Sequence, residues 1–162
     1  MIRDRAWAPR NPERQCDVTA HPTAVWVIQQ LRETFPDDTS IRYLIHDNDS
    51  IFSDRVDEWI SSLGIEPRRT AFRSPWQNGT AEHWVGTVKR ELLDHVIILD
   101  EHHLGRMLRE YAEYYNTDRV HTVICDAPAG RAVDEKPKSF ARVVGYPRLG
   151  GLHHRYEWQA AA

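Results

Sequence analysis

The feature that most constrains this chain is a short apolar run, Ile41, Tyr43, Leu44 and Ile45, which stops abruptly in the polar cluster His46-Asp47-Asn48-Asp49-Ser50. A run this short and rich in strand formers predicts a buried β-strand. Helical spacing lies on both sides of it. Upstream, Val25, Ile28 and Leu31 recur at helical intervals with Trp26 alongside; Thr23 offers a cap, and the helix must stop before Pro36. Downstream, Val56, Trp59, Ile60 and Leu63 share one face of a helix over 54–63, and Gly64 ends it. "IEPRRTAF" reads as a second short strand. "SPWQNGTAEHWVGTVKREL" is a turn opening into a helix with Val85, Val88 and Leu92 as its core-facing stripe. "HVIIL" is a brief extended piece, and 101–116 is a further helix. "RQCDVTAHP" is short enough for one more strand, ended by Pro22. Alternation of this kind predicts an α/β layer fold with some parallel strands.

Composition narrows the function classes. A chain of 162 residues is of single-domain size. No apolar run approaches the ~20 residues of a membrane helix, and the N-terminus is polar with no signal-peptide core, so the expected location is cytoplasmic. Cys16 and Cys125 stand far apart and no Cys-x-x-Cys occurs, which predicts two reduced thiols and no zinc knuckle. The net charge of −3 gives no global electrostatic case for nucleic acid. Any DNA contact must come from a local patch or from metal ions. Residues 1–13 are charged, lack periodicity and read as a loose leader. Residues 121–162 are rich in proline and glycine and read as an extended, mildly basic tail.

Two carboxylates stand out. Asp47 follows the expected buried strand, at the strand edge where sites gather in open α/β sheets; the bland alternative is a solvated turn, since Asp, Asn and Ser all favour turns. Glu82 opens a helix, where the helix dipole alone favours a carboxylate. Lys89, seven positions on, shares its face. A carboxylate with a cation two turns away suits a site that takes a metal ion and a phosphodiester together. Between Asp47 and Glu82 lie 34 residues holding one helix, one strand and a turn. Arg68, Arg69 and Arg73 form a local basic cluster, suited to phosphate or simply to solvent. Trp76 suits base stacking or a cover for its own loop. His46 and Asp49 fit structural and supplementary roles respectively. The adjacent pairs His102-His103 and His153-His154 point apart and read as surface histidines.

"IHDNDSIF", followed by "SPWQNGTAEHWVGTVKREL", resembles the integrase core of DDE transposases and retroviral-type integrases, most closely that of bacterial insertion-sequence transposases. Asn78, Glu82 and Lys89 stand where that family has an Asn, its last catalytic carboxylate and a basic residue, and Asp47 matches its second catalytic Asp. Asn116, Arg119, His121 and Pro128 match the segment that follows. The resemblance implies a ribonuclease H-like fold with helices flanking a short mixed sheet. It also implies three carboxylates holding Mg²⁺ or Mn²⁺, and DNA cleavage and strand transfer. On this reading residues 14–120 are a partial catalytic core. Asp47 and Glu82 are catalytic and metal-binding residues, and Lys89, Asn78, Arg73 and Arg69 contact DNA.

The first catalytic Asp of the family is the weak point. "CDVT" offers Asp17, but it lies only 30 positions before Asp47 and is followed directly by the helix over 23–34. The resemblance implies a longer interval with two antiparallel strands inside it. "CDVTAHPTAVWVIQQL" therefore matches the third strand and the next helix, and the fold is expected to be incomplete, with its first two strands missing. Metal binding is then weak, because Mg²⁺ demands near-octahedral oxygen coordination. Three functions follow. The first is an inactive transposase core fragment. The second is an active nuclease or strand transferase using Asp17, Asp47 and Glu82. The third is a non-enzymatic DNA-binding or dimerising module that modulates a full-length transposase.

Overall fold

The computed structural model describes residues 17–35, 41–122, 127–132, 135–137 and 140–160. The chain divides into two compact units, one over Asp17–Ile97 and one whose described residues begin at Ile98. Among the described residues, no helix is long and apolar enough to cross a membrane.

The first unit opens with α1 (Ala24–Thr34). Thr23 caps it as expected: its side chain accepts the Trp26 N–H at 3.2 Å. The helix stops at Phe35, one residue before the proline that cannot continue it. Strand β1 (Tyr43–His46) follows, then α2 (Asp54–Ser62) and β2 (Glu66–Arg69). Gly64, at φ 76°, makes the left-handed exit from α2. The strands pair in parallel, Tyr43 with Glu66 through His46 with Arg69. The core is formed by Val27 and Ile28 of α1, Val56 and Ile60 of α2, and Ile65, with Leu31, Leu44 and Trp59 packed around it.

Two strand expectations change. The buried reading of β1 holds on one face only. Leu44 and His46 face the helices, whereas Tyr43 and Ile45 are 42% and 50% exposed. Arginines lie over the Tyr43 ring instead, Arg42 at 4.9 Å and Arg68 at 5.4 Å. The strand expected over "RQCDVTAHP" falls partly outside the described residues, and 17–22 form none. A strand exists through its partner, and β1 and β2 pair with each other alone among the described residues.

One polar network joins the three elements around β1. The buried His46 ring stacks on Phe52 with centroids 4.7 Å apart. Its Nε2 meets Asp57 Oδ1 of α2 at 2.9 Å, and its Nδ1 meets the Asp47 carbonyl at 2.9 Å. Arg69 at the end of β2 reaches the other oxygen of Asp57 and also Asp54. Two strands and a helix thus share one carboxylate.

A 3₁₀ turn over Pro75–Asn78 leads into α3 (Gly79–Glu91). Val88 and Leu92 are buried as expected, but Val85 is 61% exposed; Thr87 is the buried neighbour instead. "HVIIL" contains no strand.

In the second unit α4 (Glu101–Thr117) is capped by Asp100, which accepts the His103 N–H at 2.7 Å. Met107, Tyr111 and Ala112 are buried. The expected extended tail is a hairpin here, β3 (Ala141–Arg148) antiparallel to β4 (His153–Ala160). Its connection uses Gly150 and Gly151 at φ 65° and 96°. The hairpin is tied to α4 in two ways. His153 stacks on Tyr114 with centroids 4.4 Å apart. Asp118, at the end of α4 and with its side chain 1% exposed, receives Arg148 at 2.7 Å, with Arg131 at 3.5 Å and Arg155 at 3.7 Å. The proline- and glycine-rich composition hid this, because its anchors are long-range and polar.

Three outcomes test this architecture. Ile60→Ala, in the middle of the first core, should cost about 2–5 kcal/mol in urea unfolding. Asp118→Ala leaves three guanidinium groups without their shared carboxylate. It should destabilise the second unit by about 2–3 kcal/mol, less than for a fully buried pair because the arginines are partly exposed; amide exchange along β3 and β4 reads the loss. Gly130→Ala should also loosen that unit, since an added Cβ would stand 2.6 Å from the Asn116 carbonyl oxygen; faster exchange at the Gly130 amide, which donates to that oxygen, checks it.

Candidate functional site

Because β1 and β2 run parallel and in register, their carboxyl ends lie at one edge of the pair. Asp47 follows β1 directly. The loop after β2 leaves the same edge and delivers the chain to α3, which carries Glu82 in its first turn. Topology thus draws the two expected carboxylates from segments that start side by side. Thr70 N–H donating to the His46 carbonyl at 2.9 Å extends the pairing into that loop.

The Asp47 carboxylate is exposed, and its Oδ1 accepts the Asp49 N–H at 3.3 Å. Asp49 Oδ1 in turn accepts the Ile51 N–H at 3.0 Å, and its carbonyl accepts Phe52 N–H. Both aspartates therefore perform the turn-making role that their composition allows. Asp49 is the more committed of the two.

The loop into α3 is held by its own groups. Gln77 Oε1 accepts the Ala71 N–H at 2.6 Å, and Ser74 N–H donates to Ala71 O at 3.1 Å. This leaves Phe72 and Trp76 exposed at 75% and 73%. Arg73, at φ 55°, lies 5.1 Å over the Phe72 ring. Asn78 stands at the N-cap of α3 without capping it through its side chain. Glu82 is exposed on the outer face of the helix, and so is Lys89, 3.8 Å from Asp94. An exposed ion pair of this kind contributes little, so the ammonium stays available to an anion.

Arg69 is differently employed. It is bound to Asp54 and Asp57, and its pKa is raised, chiefly by the hydrogen bond to Asp54, with the charge of Asp57 adding. Arg68 pairs with Glu66 at 2.5 Å. Of the three clustered arginines, Arg73 alone has no carboxylate partner among the described residues. Asp17 is exposed at the start of the first unit and joins no group of metal-binding side chains among the described residues.

The matched residues beyond Ile97 build a local elbow. Asn116 donates to the Ala112 carbonyl at 2.8 Å, and its own carbonyl accepts Gly130 N–H. His121 Nε2 meets Tyr115 O at 3.0 Å, and its Nδ1 lies 3.2 Å from Arg119. Pro128 is buried.

The oxygen donors of Asp47 and Glu82 suit Mg²⁺ or Mn²⁺ in kind. They do not suffice in number: among the described residues no group of three His, Cys, Asp or Glu comes together to hold a metal ion. Sequence reasoning missed Asp57. Its only local signal was that of a helix-start acid, and its partners His46 and Arg69 meet it through the strand register.

Residues 63–128 match the family model of the integrase core domain. Over 79 residues, 48% of this chain, the protein is 34% identical to a putative transposase InsD of insertion element IS2E and to the transposase InsD of IS2A/D/F/H/I/K, both from Escherichia coli. The aligned part spans 36% of the first relative and 26% of the second. Among solved structures, a chain of the simian T-cell lymphotropic virus intasome, solved with the PP2A regulatory subunit B56 gamma, shares the fold at TM-score 0.51 and 17% identity. That match covers 88% of this chain and 54% of the other. The fold is α/β and partially ribonuclease H-like, and the chain is similar over residues 63–128 to an integrase core domain and over 79 residues to insertion-sequence transposases.

Proposed function

We propose that this chain carries part of a DNA strand-cleavage and strand-transfer site, with Asp47 and Glu82 as two of its metal-binding carboxylates, and that alone it does not cleave DNA. The observation that carries this reading is the parallel pairing of β1 with β2, from whose common edge the Asp47 turn and the lead-in to the Glu82 helix both depart. When bound, a divalent ion supplies charge stabilisation at the reacting phosphate. The chain's own residues hold the DNA. Lys89, on the face of Glu82, approaches a backbone phosphate, and Arg73 and Asn78 flank the start of that helix. Arg69, already matched by Asp54 and Asp57, contributes to the scaffold more than to DNA. Inactivity follows from the donor count: two carboxylates leave most of the octahedral positions of Mg²⁺ to water. The likeness to an intasome chain and to transposases favours association with DNA and with further chains, a full-length transposase or copies of itself.

The purified chain is tested on linear DNA with Mg²⁺ or Mn²⁺. The expected outcome is no nicking, together with DNA binding that weakens steeply with salt. Lys89→Ala should lower affinity evenly across sequences and reduce the salt slope by about one. Nicking that disappears in Glu82→Gln would overturn the inactivity while keeping the site. Binding indifferent to both salt and Lys89 would remove the DNA reading itself.

A further inference from the structure

We infer that His46 is a positioning residue for Asp47: its ring, clamped between Asp57 and the Asp47 carbonyl, sets the backbone from which the Asp47 carboxylate projects. The inference rests on the reading of Asp47 as part of the site. Its support is geometric. His46 is 4% exposed, the most buried polar side chain in the β1–β2 pair. It stacks on Phe52 at 4.7 Å, which fixes the ring plane. Both ring nitrogens are then spoken for, Nε2 by Asp57 Oδ1 and Nδ1 by Asp47 O, each at 2.9 Å. Both partners are acceptors, so each contact is a hydrogen bond when the ring nitrogen facing it carries a proton. Asp57 is itself fixed by Arg69. The chain of contacts therefore runs from the end of β2, through α2, to the peptide group of Asp47. That peptide opens the turn in which Asp47 Oδ1 accepts the Asp49 N–H and Asp49 Oδ1 accepts the Ile51 N–H. An exposed carboxylate two bonds beyond a clamped peptide starts with less freedom to lose when it meets a ligand.

The two bonds can be separated by substitution. In His46→Asn the amide nitrogen replaces Nδ1 and keeps the bond to Asp47 O. In His46→Gln it replaces Nε2 and keeps the bond to Asp57. Amide hydrogen exchange in the full chain then reads the turn at Asp49 and Ile51, with Val56 and Ile60 of α2 as the reference. Positioning predicts that H46Q speeds exchange at Asp49 and Ile51 by about five- to tenfold, the worth of one hydrogen bond, with α2 nearly unchanged. H46N should keep the turn protected even if α2 loosens. Equal behaviour of the two variants at the turn, or a turn unaffected by H46Q, overturns the inference. If H46Q does not fold, H46N decides alone: loss of turn protection while α2 holds overturns it, and retained protection supports it. Mn²⁺ broadening of amide signals, measured on the unsubstituted chain, keeps the site reading separate. Absence of broadening near Asp47 and Glu82 counts against the site and leaves the exchange result to judge the role of His46.

Discussion

The first unit depends on one carboxylate. Asp57 gives one oxygen to the buried ring of His46 and the other to the guanidinium of Arg69. A two-stranded parallel sheet of four-residue strands has little cohesion of its own, and parallel pairs ordinarily need cover on both faces. Here one face has α1 and α2, while Tyr43 and Ile45 stay largely exposed on the other. The network supplies what the ladder lacks. It fixes the carboxyl ends of both strands against α2, at the edge where chemistry is expected. A half-buried carboxylate holding two donors is costly to break, because each donor would be left without its acceptor.

The second unit repeats the solution around another carboxylate. Asp118 ends α4 and gathers Arg131, Arg148 and Arg155, which arrive from a loop and from both strands of the hairpin. His153 adds a stacked contact on Tyr114. The buried apolar set there is small, with Met107, Tyr111 and Ala112 on α4, so polar anchoring carries much of the specificity. A C-terminal stretch without hydrophobic periodicity can in this way still be ordered.

The candidate site combines ordinary and unusual elements. Asp47 and Asp49 make turns, as such residues do, and Glu82 sits in a helix's first turn, as acids do. What distinguishes them is topology. The parallel register sends the Asp47 turn and the loop before Glu82 out of one edge. That loop also exposes Phe72 and Trp76 while its backbone is held by Gln77 and Ser74. Oxygen donors are present in the right chemical kind and short in number.

Much of this was legible in the chain itself. Local patterns set the helices: the apolar spacing, the Thr23 cap, the Gly64 exit and the stop before Pro36 all act within a few residues, so propensity and periodicity suffice. The helix and short strand that fill the interval from Asp47 to Glu82 were legible as well. Tertiary structure decided the rest. Which face of β1 is buried, why Val85 is exposed, and that 141–160 form a hairpin depend on partners distant in sequence. The role of Asp57 was invisible for the same reason. A helix-start acid becomes the joint of three elements only when strand register brings His46 and Arg69 to it, and register is a property of the folded pair rather than of any segment.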